Sequence, residues 1–119
     1  MPNGAEVPVA TANGYISDYL TDYYATGKAP TKSMIMDADL LRGYLNNNTN
    51  IENVKFMLGV RTISVGGVDE EVFTLIVAGY DSSGNYVLSS TSPDMILDQL
   101  APCPDECPTV GNAANDYIS

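Results

Sequence analysis

The stretch NVKFMLGVRTISVGGVDEEVFTLIVAGYDSSGNYVLSS, residues 53–90, decides the fold. Residues 54–65 and 72–80 are rich in Val, Ile, Leu and Phe, whose branched or aromatic side chains suit a pleated surface. Between them GGVDEE (66–71) carries the glycine pair that a tight hairpin loop needs, so two antiparallel strands are predicted. In the second run Val72, Ile76 and Ala78 face one way, and Phe73, Leu75 and Val77 the other. Apolar character on both faces predicts a strand covered on both sides, central rather than edge. The first run is more mixed, because Lys55 and Arg61 share a face with Met57. DSSGN (81–85) reads as a second hairpin turn with Gly84 in the left-handed position, and YVLS (86–89) as a short returning strand.

Helical spacing lies on either side of this block. In YISDYLTDYYAT the apolar and aromatic positions Tyr15, Ile16, Tyr19, Leu20, Tyr23 and Tyr24 recur at i, i+1, i+4, i+5, one stripe of a helix. Its start is expected near Thr11 or Asn13, either of which can cap, and Gly27 followed by Pro30 ends it. SMIM (33–36) reads as extended. Asp37 is the predicted N-cap of a second helix, ADLLRGYLN, with Leu40, Leu41, Tyr44 and Leu45 on one side and Gly43 weakening it. SPDMILDQL (92–100) predicts a third, short helix capped by Ser92, with Pro93 at its first position and Asp94 against its dipole. The expected architecture is α+β: a small antiparallel meander of about three strands packed against two or three helices. One domain spans residues 1–119, with an N-terminal arm over 1–12, a core over 13–107 and a C-terminal arm over 108–119.

Composition narrows the function. Fifteen acidic residues against five basic ones give a net charge of −10, and Lys28, Lys32, Arg42, Lys55 and Arg61 are scattered. Such a chain repels phosphate backbones and anionic membranes, so no nucleic-acid partner is expected. No apolar run approaches the ~20 residues that span a bilayer, so no membrane insertion is expected either. The segment MPNGAEVPVATANG has neither the basic nor the apolar region of a signal peptide, which makes the cytoplasm the default expectation and leaves an extracellular setting open. Histidine is absent, which removes the commonest general base and the commonest zinc ligand. The chain is expected to be no enzyme and to need no cofactor.

The order of LLRGYL (40–45), LGVRTI (58–63), TLIVAGYDSSGN (74–85) and PCPDEC (102–107) resembles a group of small, uncharacterised proteins of Bacteroidota that close on a Pro-Cys-Pro-x-x-Cys motif. The similarity covers about residues 15–107. It implies one compact domain, and no activity comes with it.

Four constellations remain as candidates. Cys103 and Cys107 are spaced C-x3-C rather than C-x2-C, and lack the further thiolates or imidazoles of a zinc site. A Pro-stiffened turn, holding free thiols or one local disulfide, is the expectation. Asp37 with Asp39, and Asp69, Glu70 and Glu71, are carboxylate groupings that capping and an exposed hairpin tip explain as well as a divalent cation does. Asn47 and Thr49 fit a glycosylation sequon. Eight tyrosines against two phenylalanines supply either a core rim or a contact surface. The arms hold little apolar mass beyond Val7, Val9, Tyr117 and Ile118. These four are the predicted anchors for docking onto neighbouring copies, along a strand edge or in a groove. The resulting expectation is a structural protein that self-associates into an oligomer or filament. The alternative is a small acidic binding module or inhibitor of an unknown protein partner.

Overall fold

A computed structural model describes residues 3–89 and 95–118. The chain is α+β. Helix α1 (Val9–Tyr19) runs on into a π-helical turn at Leu20–Tyr24, followed by strand β1 (Ser33–Ile35) and helix α2 (Ala38–Asn47). Strands β2 (Asn53–Val65), β3 (Val68–Tyr80) and β4 (Tyr86–Val87) form an antiparallel meander in the order β2-β3-β4. Strand β5 (Ala101–Cys103) pairs antiparallel with β1 in a separate two-stranded ribbon, and a 3-10 turn covers Asn112–Ala114.

The long hairpin is built by local chemistry. Gly66 and Gly67 have φ of 58° and 84°, left-handed values that a two-residue turn demands and that glycine adopts without strain. The turn is therefore two residues long, and β2 and β3 pair continuously from Asn53↔Tyr80 to Val65↔Val68. Asp69, Glu70 and Glu71 belong to β3, not to a loop, because the glycine pair alone closes the hairpin. In the second turn the Asp81 carboxylate accepts the Ser83 and Asn85 N–H groups at 3.0 and 2.9 Å, and Gly84 has φ 81°. That is turn chemistry, with one carboxylate oxygen, Oδ1, taking both backbone bonds. β4 ends at Val87, two residues short of the expected strand.

The core lies against β3. Tyr44, Val77 and Leu97 are buried together, flanked by Met36, Leu41, Leu45, Ile51, Val54, Leu75 and Ile96. Tyr44 sits at the centre for a polar reason as well as an apolar one. Its hydroxyl accepts the Gly79 N–H at 2.8 Å and donates to the Val87 carbonyl at 2.5 Å, splicing β3 to β4. Gly79 lets Ile51 pack directly against the strand: a Cβ there would lie 2.6–2.8 Å from three carbons of Ile51. On the opposite face of β3, Val72, Thr74 and Ala78 are buried, and β1 and β5 lie against it.

Three expectations need correction. α1 begins at Val9, inside the expected arm, because Pro8 supplies the extended entry and its carbonyl accepts the Ala12 N–H at 3.1 Å. Asn13, offered as a cap, instead binds Ile118. No helix forms over Met95–Leu100; Leu97 bridges to Val77, whose N–H donates to the Leu97 carbonyl at 3.0 Å. Satisfying the edge of β3 and burying Leu97 outweighs a helical turn with few apolar contacts of its own. Ser92, Pro93 and Asp94 lie outside the described residues. Asp37 does precede α2 in an extended conformation, though its side chain makes no capping bond.

Candidate functional site

The predicted thiol pair is joined: Cys103 and Cys107 form a disulfide, with Cys103 buried. The Glu106 N–H closes the same loop on the Pro102 carbonyl at 2.6 Å, and the Lys32 N–H donates to the Cys103 carbonyl, also at 2.6 Å. The loop is tied to β1 and offers no thiolate to a metal or a redox partner. Arg42 pairs with Asp39 on the exposed face of α2. Among the described residues no three Cys, Asp or Glu side chains converge as a metal site would require. Nor is any described helix long and apolar enough to cross a membrane.

Val7, Val9, Tyr117 and Ile118, the predicted arm anchors, are all exposed. The C-terminal segment is nevertheless held by its own chain. The Asn13 side chain donates to the Ile118 carbonyl and accepts its N–H, both at 2.8 Å, and Lys32 pairs with Asp116 at 3.4 Å. At the other end Asn3 donates to the Asn53 side chain at 3.1 Å, beside the start of β2. The tyrosines divide. Tyr44 is core, Tyr19, Tyr24 and Tyr80 are half-buried, and Tyr15, Tyr23, Tyr86 and Tyr117 are exposed. Burial pushes the Tyr19 hydroxyl above its ordinary pKa, with Tyr24 adding to the shift, while that hydroxyl donates to the Thr31 carbonyl. The ammonium of Lys55 lies over the Tyr86 ring and donates to its hydroxyl at 3.0 Å, and the bond raises the Lys55 pKa.

The surface with the greatest capacity for contact is β2. Phe56, Leu58 and Val60 are 59%, 74% and 58% exposed and stand in a row on one face of the hairpin. Their cross-strand neighbours on β3 are Val77, Leu75 and Phe73, so the row continues the core outward and then stops. The backbone of the same strand is also bare. Phe73, Val77 and Gly79 send their N–H groups to Thr31, Leu97 and Tyr44, away from β2. The odd residues of β3 thus serve its far edge and the even ones pair with odd residues of β2. The even residues of β2, Val54 through Ser64, turn their N–H and C=O groups to the open side. Among the described residues β2 has β3 as its one strand neighbour.

Sequence reasoning did not single out Phe56, Leu58 and Val60. The signal was present as an every-second-residue apolar row, with Lys55 and Arg61 on the other face, but such a row says only that one face is apolar, not what covers it. No protein-family model, curated protein or solved structure gives a significant match to this chain.

Proposed function

We propose that this chain is a non-enzymatic structural protein that self-associates into an oligomer or filament. The observation that carries the proposal is its surface. The chain exposes 8250 Å² at a mass of 12.7 kDa, where a compact monomer of that mass exposes roughly 6,200 Å². Its radius of gyration is 16.1 Å, against roughly 13.5 Å for a compact chain of this length. The excess of roughly 2,000 Å² is more than a standard interface removes from one partner. Much of it is apolar: the β2 row, and Val7, Val9, Tyr117 and Ile118 in the terminal segments. The disulfide favours an oxidising, extracellular setting over the cytoplasmic default, because such bonds persist where thiols are not kept reduced.

Light scattering coupled to size exclusion tests the proposal. The expected result is a mass that is a multiple of 12.7 kDa. A monomer at about 100 μM, where a micromolar complex is saturated, overturns it in favour of a small acidic module for a different protein. Separate deletions of residues 1–10 and 109–119 test the arms. An unchanged mass in both removes the arms from the proposal.

A further inference from the structure

We infer that the partner on the open edge of β2 is β2 of a second copy, paired antiparallel about a two-fold axis. The inference rests on the self-association proposed above and names its contact. Edge strands with unpaired backbone groups are templates for further pairing, and proteins blunt them with charges, prolines, bulges or short length. β2 has none of these on the face in question: it is a continuous 13-residue strand without proline, and Val54, Phe56, Leu58 and Val60 carry its open backbone groups.

Charge favours the same strand. On a molecule of net charge −10, two copies repel almost everywhere. Residues 53–65 contain Lys55 and Arg61 and no acid, so along this edge a second acidic copy meets little repulsion. A partner with a strongly basic strand would be disfavoured here for the same reason.

The pairing has a preferred register. A two-fold axis normal to the sheet keeps even residues opposite even ones, so that side chains share a face. Centring on Leu58 sets Lys55 directly against Arg61 of the second copy, and like charges in that position are destabilising. Centring on Gly59 places Phe56 against Thr62 and Met57 against Arg61. Centring on Met57 pairs Phe56 with the second copy's Leu58, and Val54 with its Val60. All four residues then fall at hydrogen-bonded positions with apolar neighbours across the axis. The geometry points to this last register. It merges two three-stranded meanders into one six-stranded sheet and joins the two exposed rows into a single apolar band.

The test uses the whole 119-residue chain and two variants. Leu58→Pro removes an N–H that points to the open side, so the β2–β3 ladder loses no bond, while edge pairing loses two near its centre, one from each copy. Leu58→Lys places a charge in the joined band at a position that is 74% exposed in the single chain, so its fold is retained. The expected result is a wild-type mass that is an even multiple of 12.7 kDa, falling at least two-fold in both variants while far-ultraviolet circular dichroism is unchanged. A wild-type oligomer whose mass survives Leu58→Lys overturns the edge contact and leaves self-association standing. A wild-type monomer overturns both. Should Leu58→Pro unfold, the lysine variant decides alone.

Discussion

β2 and β3 are the same length, lie side by side in full register and are both rich in branched and aromatic residues, yet they meet opposite fates. β3 is covered along its outer edge by Thr31, Leu97, Tyr44 and β4, and Val72 and Val77 are each 1% exposed. β2 carries nothing on its outer edge among the described residues. An apolar strand acquires a core when other segments bring both apolar surface and hydrogen-bond partners to it. α2 and the segment around Leu97 do so for β3, while on β2 the same cluster takes in Val54 and leaves Phe56, Leu58 and Val60 exposed. The difference teaches that strand burial here is conferred by neighbours, and that the surplus apolar surface is concentrated where neighbours are missing.

The largest test of this contrast is a charge on each strand. Val77→Asp leaves a carboxylate unpaired in the core and is expected to cost about 3–5 kcal/mol, the range for uncompensated buried charges. Leu58→Asp, measured by urea unfolding at a dilution where the chain is monomeric, is expected to change stability by less than about 0.5 kcal/mol. Ile76, half-buried, falls between them. Equal losses at positions 77 and 58 would erase the distinction between the strands.

A smaller effect probes how β3 is held to its neighbours. Tyr44→Phe keeps the ring in the core but strips the bridge between the Gly79 N–H and the Val87 carbonyl. Leaving those groups unpaired is expected to cost about 1–3 kcal/mol in chemical denaturation. A loss well below this range would mean that β4 is not secured through Tyr44.

Replacing Cys103 and Cys107 together by serine reaches the β1–β5 ribbon behind β3. The ring they close is so short that the chain-entropy contribution amounts to about 2 kcal/mol, and the fold is expected to survive with a lower thermal midpoint. Complete unfolding of the reduced protein at room temperature would show that β5 depends on the bond.

The smallest effect is electrostatic. Because burial raises the Tyr19 pKa in the folded chain, its contribution to stability is fully present below the ordinary tyrosine value and is lost as pH climbs through the folded value. Stability is therefore expected to decline above about pH 10, and less so in Tyr19→Phe. Identical alkaline profiles for the two proteins would discount the effect.

What the residues determined by themselves is local. Gly66-Gly67 and Asp81 with Gly84 set both hairpin turns, because positive φ and side-chain-to-backbone bonds depend on nearest neighbours in the chain. Leu41, Tyr44 and Leu45 of the α2 stripe and the two-sided apolar pattern of β3 were legible for the same reason, since periodicity records which faces must leave water, whereas Leu40 of that stripe stays exposed. Tertiary structure alone decided the rest. Met95–Leu100 forms a bridge at Leu97 rather than a helix because a distant N–H, that of Val77, needed a partner. Asn13 holds Ile118 instead of capping a helix, across 105 residues of chain. The exposure of Phe56, Leu58 and Val60 was equally out of reach, because a pattern states that a face is apolar, whereas only the placement of every other segment determines whether anything is left to cover it.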